Sequence, residues 1–319
     1  MAMTLTTEAE EFISEWRNRL PYVTAHTSGS TGKPKEIRLL KSDMRASARA
    51  TAEFFGLTSA STLWLPLSPS YIAGKMQIVR ALEAGCSLVV EPPSNTPLHH
   101  SPPGVTEISL LPIVPSQADG LLASPLRRRV KTIIIGGAPL SREAEQRVID
   151  SGLTAFATYG MTETCSHVAL RRLGEEEFHA LPGFTFSTDS RGCLTIETRT
   201  LSFSRLVTND VVALSSSQSF RWLGRWDNVI NSGGLKIHPE EIESLIAPLL
   251  PTGALFYVAS RPSAKWGEEL ILVTDTPHPG LTEQLRTLLG PTRAPKAVVV
   301  DPDIRLTGSK KIIRRKFFD

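Results

Sequence analysis

Cysteine is scarce in this chain. Three occur in 319 residues, Cys86, Cys165 and Cys193, and they are far apart, odd in number and in no metal-ligand spacing. A disulfide framework is therefore not expected, and the count fits a reducing, cytoplasmic setting. Long apolar runs are missing too. No stretch approaches the roughly 18 to 20 apolar residues that a membrane-crossing helix needs, so no membrane span is expected. The N-terminal stretch MAMTLTTEAEEFISEWRNRL is acidic and amphipathic and has no apolar signal core. Charge of one sign is lacking as well. Against 35 Lys and Arg stand 32 Asp and Glu, and a net charge of +3 is too mild for a dedicated nucleic-acid binder, despite basic clusters at 127–131 and 310–316. Internal repeats and low-complexity tracts are absent.

What is present fits a globular chain of about two domains, long enough to bury a core without cross-links. Residues 8–20 predict a helix with Phe12, Ile13, Trp16 and Leu20 on one face. YVTAH and EIRLL are short strand candidates, and Ser42 is the candidate N-cap of a helix over 43–55. There follow a strand (STLWLPL), a helix over 73–84 stopped by Gly85, a strand (CSLVV), two more (EISLLP, VKTIIIGG), a helix (SREAEQRVIDSG) and a strand (TAFATYG). This alternation predicts an α/β domain. From about Gly183 short strands predict a β-rich subdomain, and after GRWDNVI a small α+β unit begins with a helix over 239–246. The expected division is 1–225, a large domain, and 226–319, a small mobile one. The proline-rich 92–103 stretch reads as a surface loop.

Between the first two strands lies TSGSTGKPK, from Thr27 to Lys35. Its glycines let backbone approach a ligand, its hydroxyls and N–H groups suit phosphate oxygens, and its lysines add charge. It is not the P-loop of ordinary NTPases: Pro34 follows Gly32-Lys33 where Ser or Thr would stand, and Thr27 occupies the place of the first glycine. On the loop alone, a polyphosphate cradle and a plain Ser/Gly hairpin loop both remain open.

The loop closely resembles the phosphate loop of the AMP-forming adenylating enzymes, the superfamily of acyl- and aryl-CoA ligases. The resemblance continues in order through GGAPL (136–140), YGMTET (159–164), TND (208–210), GRWDNVINSGGLKIHPEEIE (224–243) and TGSKKIIRR (307–315). The family joins a carboxylate to the α-phosphate of ATP, releases pyrophosphate and passes the acyl group to coenzyme A. The resemblance implies that Thr27, Ser28, Gly29, Ser30, Thr31, Gly32 and Lys35 hold the β- and γ-phosphates. Glu163 would hold Mg²⁺, and Thr162 would bond the α-phosphate. Tyr159, Gly160 and Met161 would border the nucleotide, Tyr159 packing on adenine, whose amino group would meet backbone at Gly136, Gly137 and Ala138. Asp210 would accept from the ribose hydroxyls, with Arg225 beside ribose and phosphate. Lys311 would be the catalytic lysine, or Lys310 if the register slips by one. Asp227 would be the hinge. Ser232, Gly233, Gly234 and Lys236 would line the pantetheine tunnel after rotation, with Arg127 to Arg129 either near the CoA phosphates or a solvated edge.

Departures narrow the resemblance. Only some twenty residues precede the loop where the family has a large subdomain, Asn209 replaces a usual glycine, and Tyr71 stands where many relatives have histidine. The short front and YGMTETCSHVALR resemble the o-succinylbenzoate–CoA ligases of menaquinone synthesis. That implies a substrate with a second carboxylate, for which Lys75, Ser166 and His167 are candidate partners; a core role for His167 is the plain alternative. Another acyl- or aryl-CoA ligase, or a nucleotide-binding homologue without turnover, are the other readings. A homodimer is possible if the short domain leaves apolar surface exposed.

Overall fold

The computed structural model describes residues 3–26, 36–100, 102–307, 312–315 and 317. Thr27 to Lys35, Lys310 and Lys311 lie outside them, so the phosphate-loop and lysine assignments keep the status of expectations.

The chain is a mixed α/β structure around one long sheet. Nine strands run in the order Phe184–Thr188, Cys193–Thr198, Arg205–Ser216, Ser219–Arg225, Phe178–Ala180, His167–Arg172, Thr154–Gly160, Thr132–Ile135 and Leu111–Ile113. The last three pair in parallel, and His167–Arg172 turns back antiparallel on Thr154–Gly160. The β-rich portion expected after Gly183 therefore continues the α/β sheet rather than starting another. A three-stranded parallel sheet of Met3–Thr4, Ser87–Val90 and Thr62–Leu65 abuts the Leu111–Ile113 edge through a Leu63–Leu110 bridge. Tyr22–His26 and Glu36–Leu40 form the hairpin that carries the Thr27–Lys35 stretch.

Helices cover this framework for local reasons. Thr7–Arg17 is capped by Thr6 and buries Phe12, Ile13 and Trp16. It stops at Asn18, so Leu20 is not on the buried face as expected but 51% exposed. The next helix is Lys41–Phe55, capped at Leu40 without a side-chain bond. Ser42 is thus inside its first turn and is not the N-cap. Ile72–Ala84 ends at Gly85, whose φ of 68° is the left-handed stop a glycine permits. These helices pack on one side into the largest core, with Met44, Ala48, Met76, Ile78 and Val79 against Leu170, Phe184, Phe186 and Phe220. Arg142–Asp150, capped by Ser141, closes a second core around Trp64, Ile133 and Ile135.

Beyond residue 229 a five-stranded sheet forms from Leu235–Ile237, Ile230–Ser232, Gly267–Thr274, Phe256–Ser263 and Ala297–Val300. Alternation divides it. Val258, Leu270 and Leu272 face the helices Pro239–Ile246 and Leu281–Arg293, while Tyr257, Ala259, Ile271 and Val273 face the chain end at Ile304, Ile312 and Phe317. Leu281–Arg293 kinks at Gly290 (φ 72°) and Pro291.

Candidate active site

The parallel strands Thr132–Ile135 and Thr154–Gly160 end side by side, so the Gly136–Ala138 turn and the Tyr159–Thr164 segment share one sheet end. This is the carboxyl end of the parallel strands, the side on which open α/β sheets bind their ligands. The glycines are demanded by close approach. A Cβ on Gly136 would lie 2.5 Å from Thr158 Oγ1, and one on Gly160 would lie 2.3 Å from the Ser166 carbonyl oxygen. The turn over Thr162–Thr164 is pinned by the buried Thr164 hydroxyl, which accepts from Met161 N at 3.0 Å and lies 2.7 Å from the Ser166 carbonyl. It holds Thr162 half-buried and Glu163 exposed, and Cys165 leaves it at a φ of 62°.

Asp210 is the electrostatic centre. It sits on Arg205–Ser216 directly opposite Arg225 on Ser219–Arg225. The Tyr159 hydroxyl donates to its Oδ2 at 2.8 Å, the Trp222 indole donates to its Oδ1 at 3.2 Å, and Arg225 Nη1 lies 3.6 Å from Oδ1. Burial first, and then the Asp210 charge, push the Tyr159 phenol well above its ordinary range, so it stays a donor. Each carboxylate oxygen still has a lone pair free to accept from a diol. The Tyr159 ring meets Phe220 and Phe178 edge-on, at 5.1 and 5.9 Å between centroids.

Arg225 also reaches Asp227 Oδ2 at 3.2 Å, and Asn209 donates to the same oxygen at 3.4 Å. Asp227 thus lies on the short turn Trp226–Asn228, linked to both sides of the Asp210 cluster. Lys236 is 5.0 Å over the Trp226 ring. Gly233 and Gly234, at φ of 58° and 82°, form the tight turn between Ile230–Ser232 and Leu235–Ile237. A side chain on Gly233 would meet the Trp266 ring at 2.6 Å, a local reason for glycine besides passage of a thin ligand.

The candidate substrate residues are not brought together as a set. Tyr71 caps the helix Ile72–Ala84 and is 62% exposed. Lys75 is directed to Glu15 Oε2 at 3.5 Å and over the Phe12 ring at 4.3 Å, so the structure does not pair it with Ser166 and His167. The cation that meets Ser166 is Arg80, five residues further along the same helix: its Nη2 donates to Ser166 Oγ. Arg80 is 2% exposed, donates through Nη1 to Gln77 Oε1 at 3.3 Å, and has no hydrogen-bond partner for Nε and no carboxylate partner among the described residues. Burial draws its pKa down to about 9. Ser166 Oγ lies 3.3 Å from His167 Nδ1, and His167 Nε2 lies 3.2 Å from Thr51 Oγ1. Burial, with Arg80 adding to it, holds the His167 imidazole well below its usual range and hence neutral. Sequence reasoning missed Arg80, Trp222 and Thr51. For Arg80 there was a signal, a cation inside the otherwise apolar run QIVRAL; pairing of Trp222 and Thr51 across the fold left none. Arg127 and Arg129 donate to the backbone carbonyls of Leu122 and Val105. Cys86, Cys165 and Cys193 are free thiols, in keeping with the absence of a disulfide framework.

Comparison with known proteins gives these groupings a context. Residues 7–188 match the AMP-binding enzyme family. The chain is 25% identical over 290 residues to the indoleacetate–CoA ligase of Aromatoleum aromaticum, covering 79% of this chain and 57% of that enzyme. It is 24% identical over 334 residues to the 2-succinylbenzoate–CoA ligase of Bacillus subtilis, covering 92% and 68%. A solved acyl-CoA synthetase (AMP-forming)/AMP-acid ligase II-like protein from Dyadobacter fermentans is 33% identical, with a TM-score of 0.66 over 97% of this chain and 92% of its own. The o-succinylbenzoate coenzyme A synthetase of Bacillus subtilis shares the fold at a TM-score of 0.78 and 22% identity, over 91% of this chain and 68% of its own. The chain thus spans little more than half of the first of these ligases and nearly all of the Dyadobacter protein. With more than half its length matched, this chain belongs to the AMP-binding enzyme family.

Proposed function

We propose that this chain activates a carboxylic acid with ATP and transfers the acyl group to coenzyme A, and that the acid carries a second carboxylate, as o-succinylbenzoate does. The observation that supports the ligase reading is the meeting at one sheet end of Gly136–Ala138, Tyr159–Glu163 and the Asp210 cluster. In this reading Asp210 accepts from the ribose hydroxyls with its remaining lone pairs, while Tyr159 and Trp222 hold it in place. Arg225, 40% exposed at its side chain, lies beside ribose and phosphate. Thr162 donates to the α-phosphate. Glu163 suits Mg²⁺, which takes one or two carboxylates together with phosphate oxygens and, when bound, offsets the charge that builds on the leaving pyrophosphate. The substrate carboxylate oxygen attacks the α-phosphorus and pyrophosphate leaves. The thiol of coenzyme A then attacks the acyl carbonyl and AMP leaves. Lys311 serves the first step, and residues 226–319 turn about Asp227 to present Ser232–Lys236 for the second.

The diacid reading draws on the named ligases for its substrate and on Arg80 for its physics. A buried guanidinium without a counter-charge is costly, and a carboxylate delivered by the substrate would relieve that cost. The test is pyrophosphate release with o-succinylbenzoate and with analogues lacking one carboxylate. The diacid should win by tenfold or more in kcat/KM, and Arg80→Met should remove most of that advantage, chiefly through KM. Equal rates for the diacid and its monoacid analogues would replace this reading with a general aryl- or acyl-CoA ligase.

A further inference from the structure

We infer that Thr51, on the helix Lys41–Phe55, is a positioning residue for the substrate's second carboxylate, acting through His167 and Ser166 on Arg80. This rests on the diacid reading above. Thr51 is fully buried. Its role follows from where the protons must go. Thr51 Oγ1 lies 3.1 Å from the Ser47 carbonyl oxygen, which only accepts, so the single hydroxyl proton is directed there. Towards His167 Nε2, at 3.2 Å, the Thr51 oxygen is then an acceptor, and Nε2 carries the imidazole proton. In a neutral imidazole Nδ1 becomes the acceptor, and the Ser166 hydroxyl, 3.3 Å away, donates to it. The Ser166 oxygen is left with lone pairs for Arg80 Nη2, which only donates.

All four bonds are filled in this order. Reversing the order makes Thr51 donate to Nε2 and His167 donate to Ser166. The Ser47 carbonyl then loses the Thr51 hydroxyl, the Ser166 proton has no place in the chain, and one bond fewer is made. At its other end Arg80 is held by Gln77, whose amide donates to the Trp64 and Leu110 carbonyls at 3.3 and 3.1 Å. The guanidinium is thus clamped on both sides while its Nε keeps no partner among the described residues. Removing the Thr51 acceptor frees His167 to place its proton on Nδ1, which then takes the second lone pair of the Ser166 oxygen, strands the Ser166 proton and turns the hydroxyl that Arg80 is set against. The cation loses its fixed orientation, and a planar carboxylate feels that loss more than a neutral group does.

The test combines ¹⁵N NMR of the histidine rings in the full chain with pyrophosphate-release kinetics. His167→Gln assigns the His167 signals. Wild type should show the Nε2–H tautomer, Thr51→Val should populate Nδ1–H, and Thr51→Ser should restore the wild-type pattern. Thr51→Val should raise KM for o-succinylbenzoate about three- to tenfold, the worth of roughly one hydrogen bond, with kcat and the KM of a monoacid analogue unchanged. A wild-type Nδ1–H tautomer would overturn the inference without need of any variant. So would a Thr51→Val variant that weakens diacid and monoacid alike. A wild type indifferent to the second carboxylate would instead overturn the diacid reading beneath it, and is told apart because the tautomer is measured without substrate.

Discussion

At the scale of single residues, the site is governed by which polar groups are buried and what meets them. Asp210 accepts hydrogen bonds from Tyr159 and Trp222 and lies 3.6 Å from the Arg225 guanidinium. Tyr159→Phe removes a charge-assisted bond at nearly constant volume. It should lower stability by about 1.5 to 3 kcal/mol in chemical denaturation and raise KM for ATP more than it lowers kcat. His167 gives a pH signature. The native imidazole is held neutral by burial and by Arg80, with its pKa well depressed, whereas the unfolded chain takes up a proton there below pH ~6.5. The unfolded state then binds more protons, so the stability tied to His167 is complete above that pH. It is lost as pH falls toward the depressed native value, at no more than about 1.4 kcal/mol per pH unit. Melting curves between pH 7.5 and 5 should show this slope, and His167→Gln should flatten it; an unchanged slope would mean that His167 is not buried neutral. His167 was legible in the sequence only as a choice between core and site, because its burial and its Arg80 neighbour arise from strands and helices far apart in the chain.

At the scale of elements, the turns that place the site depend on glycines with nowhere to put a side chain. Gly160→Ala would drive a Cβ to 2.3 Å from the Ser166 carbonyl, where the partner is backbone and cannot move aside. The variant should be strongly destabilised, with yield and melting temperature as the measure, whereas Gly152→Ala, open within 4 Å though at positive φ, should cost about 1 kcal/mol. A Gly160→Ala protein as stable as wild type would show that this turn is not so constrained. Much at this level was readable. Pro239–Ile246 matches the expected bounds residue for residue, since a proline start leaves little choice. Ser42 was misassigned because a cap signal two residues past the true N-cap, Leu40, competes with helix-forming neighbours, and Leu20 because the helix face continued in pattern after Asn18 had ended it. The strand Phe178–Ala180, three residues long, was missed, and His167–Arg172 was weighed only as the core alternative for His167, because it follows a motif read for chemistry.

At the scale of the whole molecule, the proposed catalytic lysine, Lys311, and the proposed hinge, Asp227, are far apart in sequence and are assigned to different steps. Asp227→Pro fixes φ and removes an N–H at the proposed pivot, and should leave pyrophosphate release intact while slowing transfer to coenzyme A. Transfer at the normal rate would move the pivot elsewhere. Lys311→Ala should abolish adenylate formation and spare thioester formation from supplied acyl-adenylate; a stronger effect of Lys310→Ala would shift the register by one. The order of the motifs was fully legible, but the clustering of Asp210 with Trp222, and the choice of Arg80 over Lys75, depend on pairings that only the assembled sheet and helices settle. The central claim is that this chain adenylates a carboxylic acid at the Asp210 end of its sheet. The most direct measurement is pyrophosphate and AMP formation from ATP and Mg²⁺ across a panel of carboxylates, in wild type and Asp210→Ala. The account predicts acid-dependent release of pyrophosphate in wild type, strongest with o-succinylbenzoate and reduced at least a hundredfold by the variant. Nucleotide binding without pyrophosphate release for any acid, or release untouched by Asp210→Ala, would contradict it.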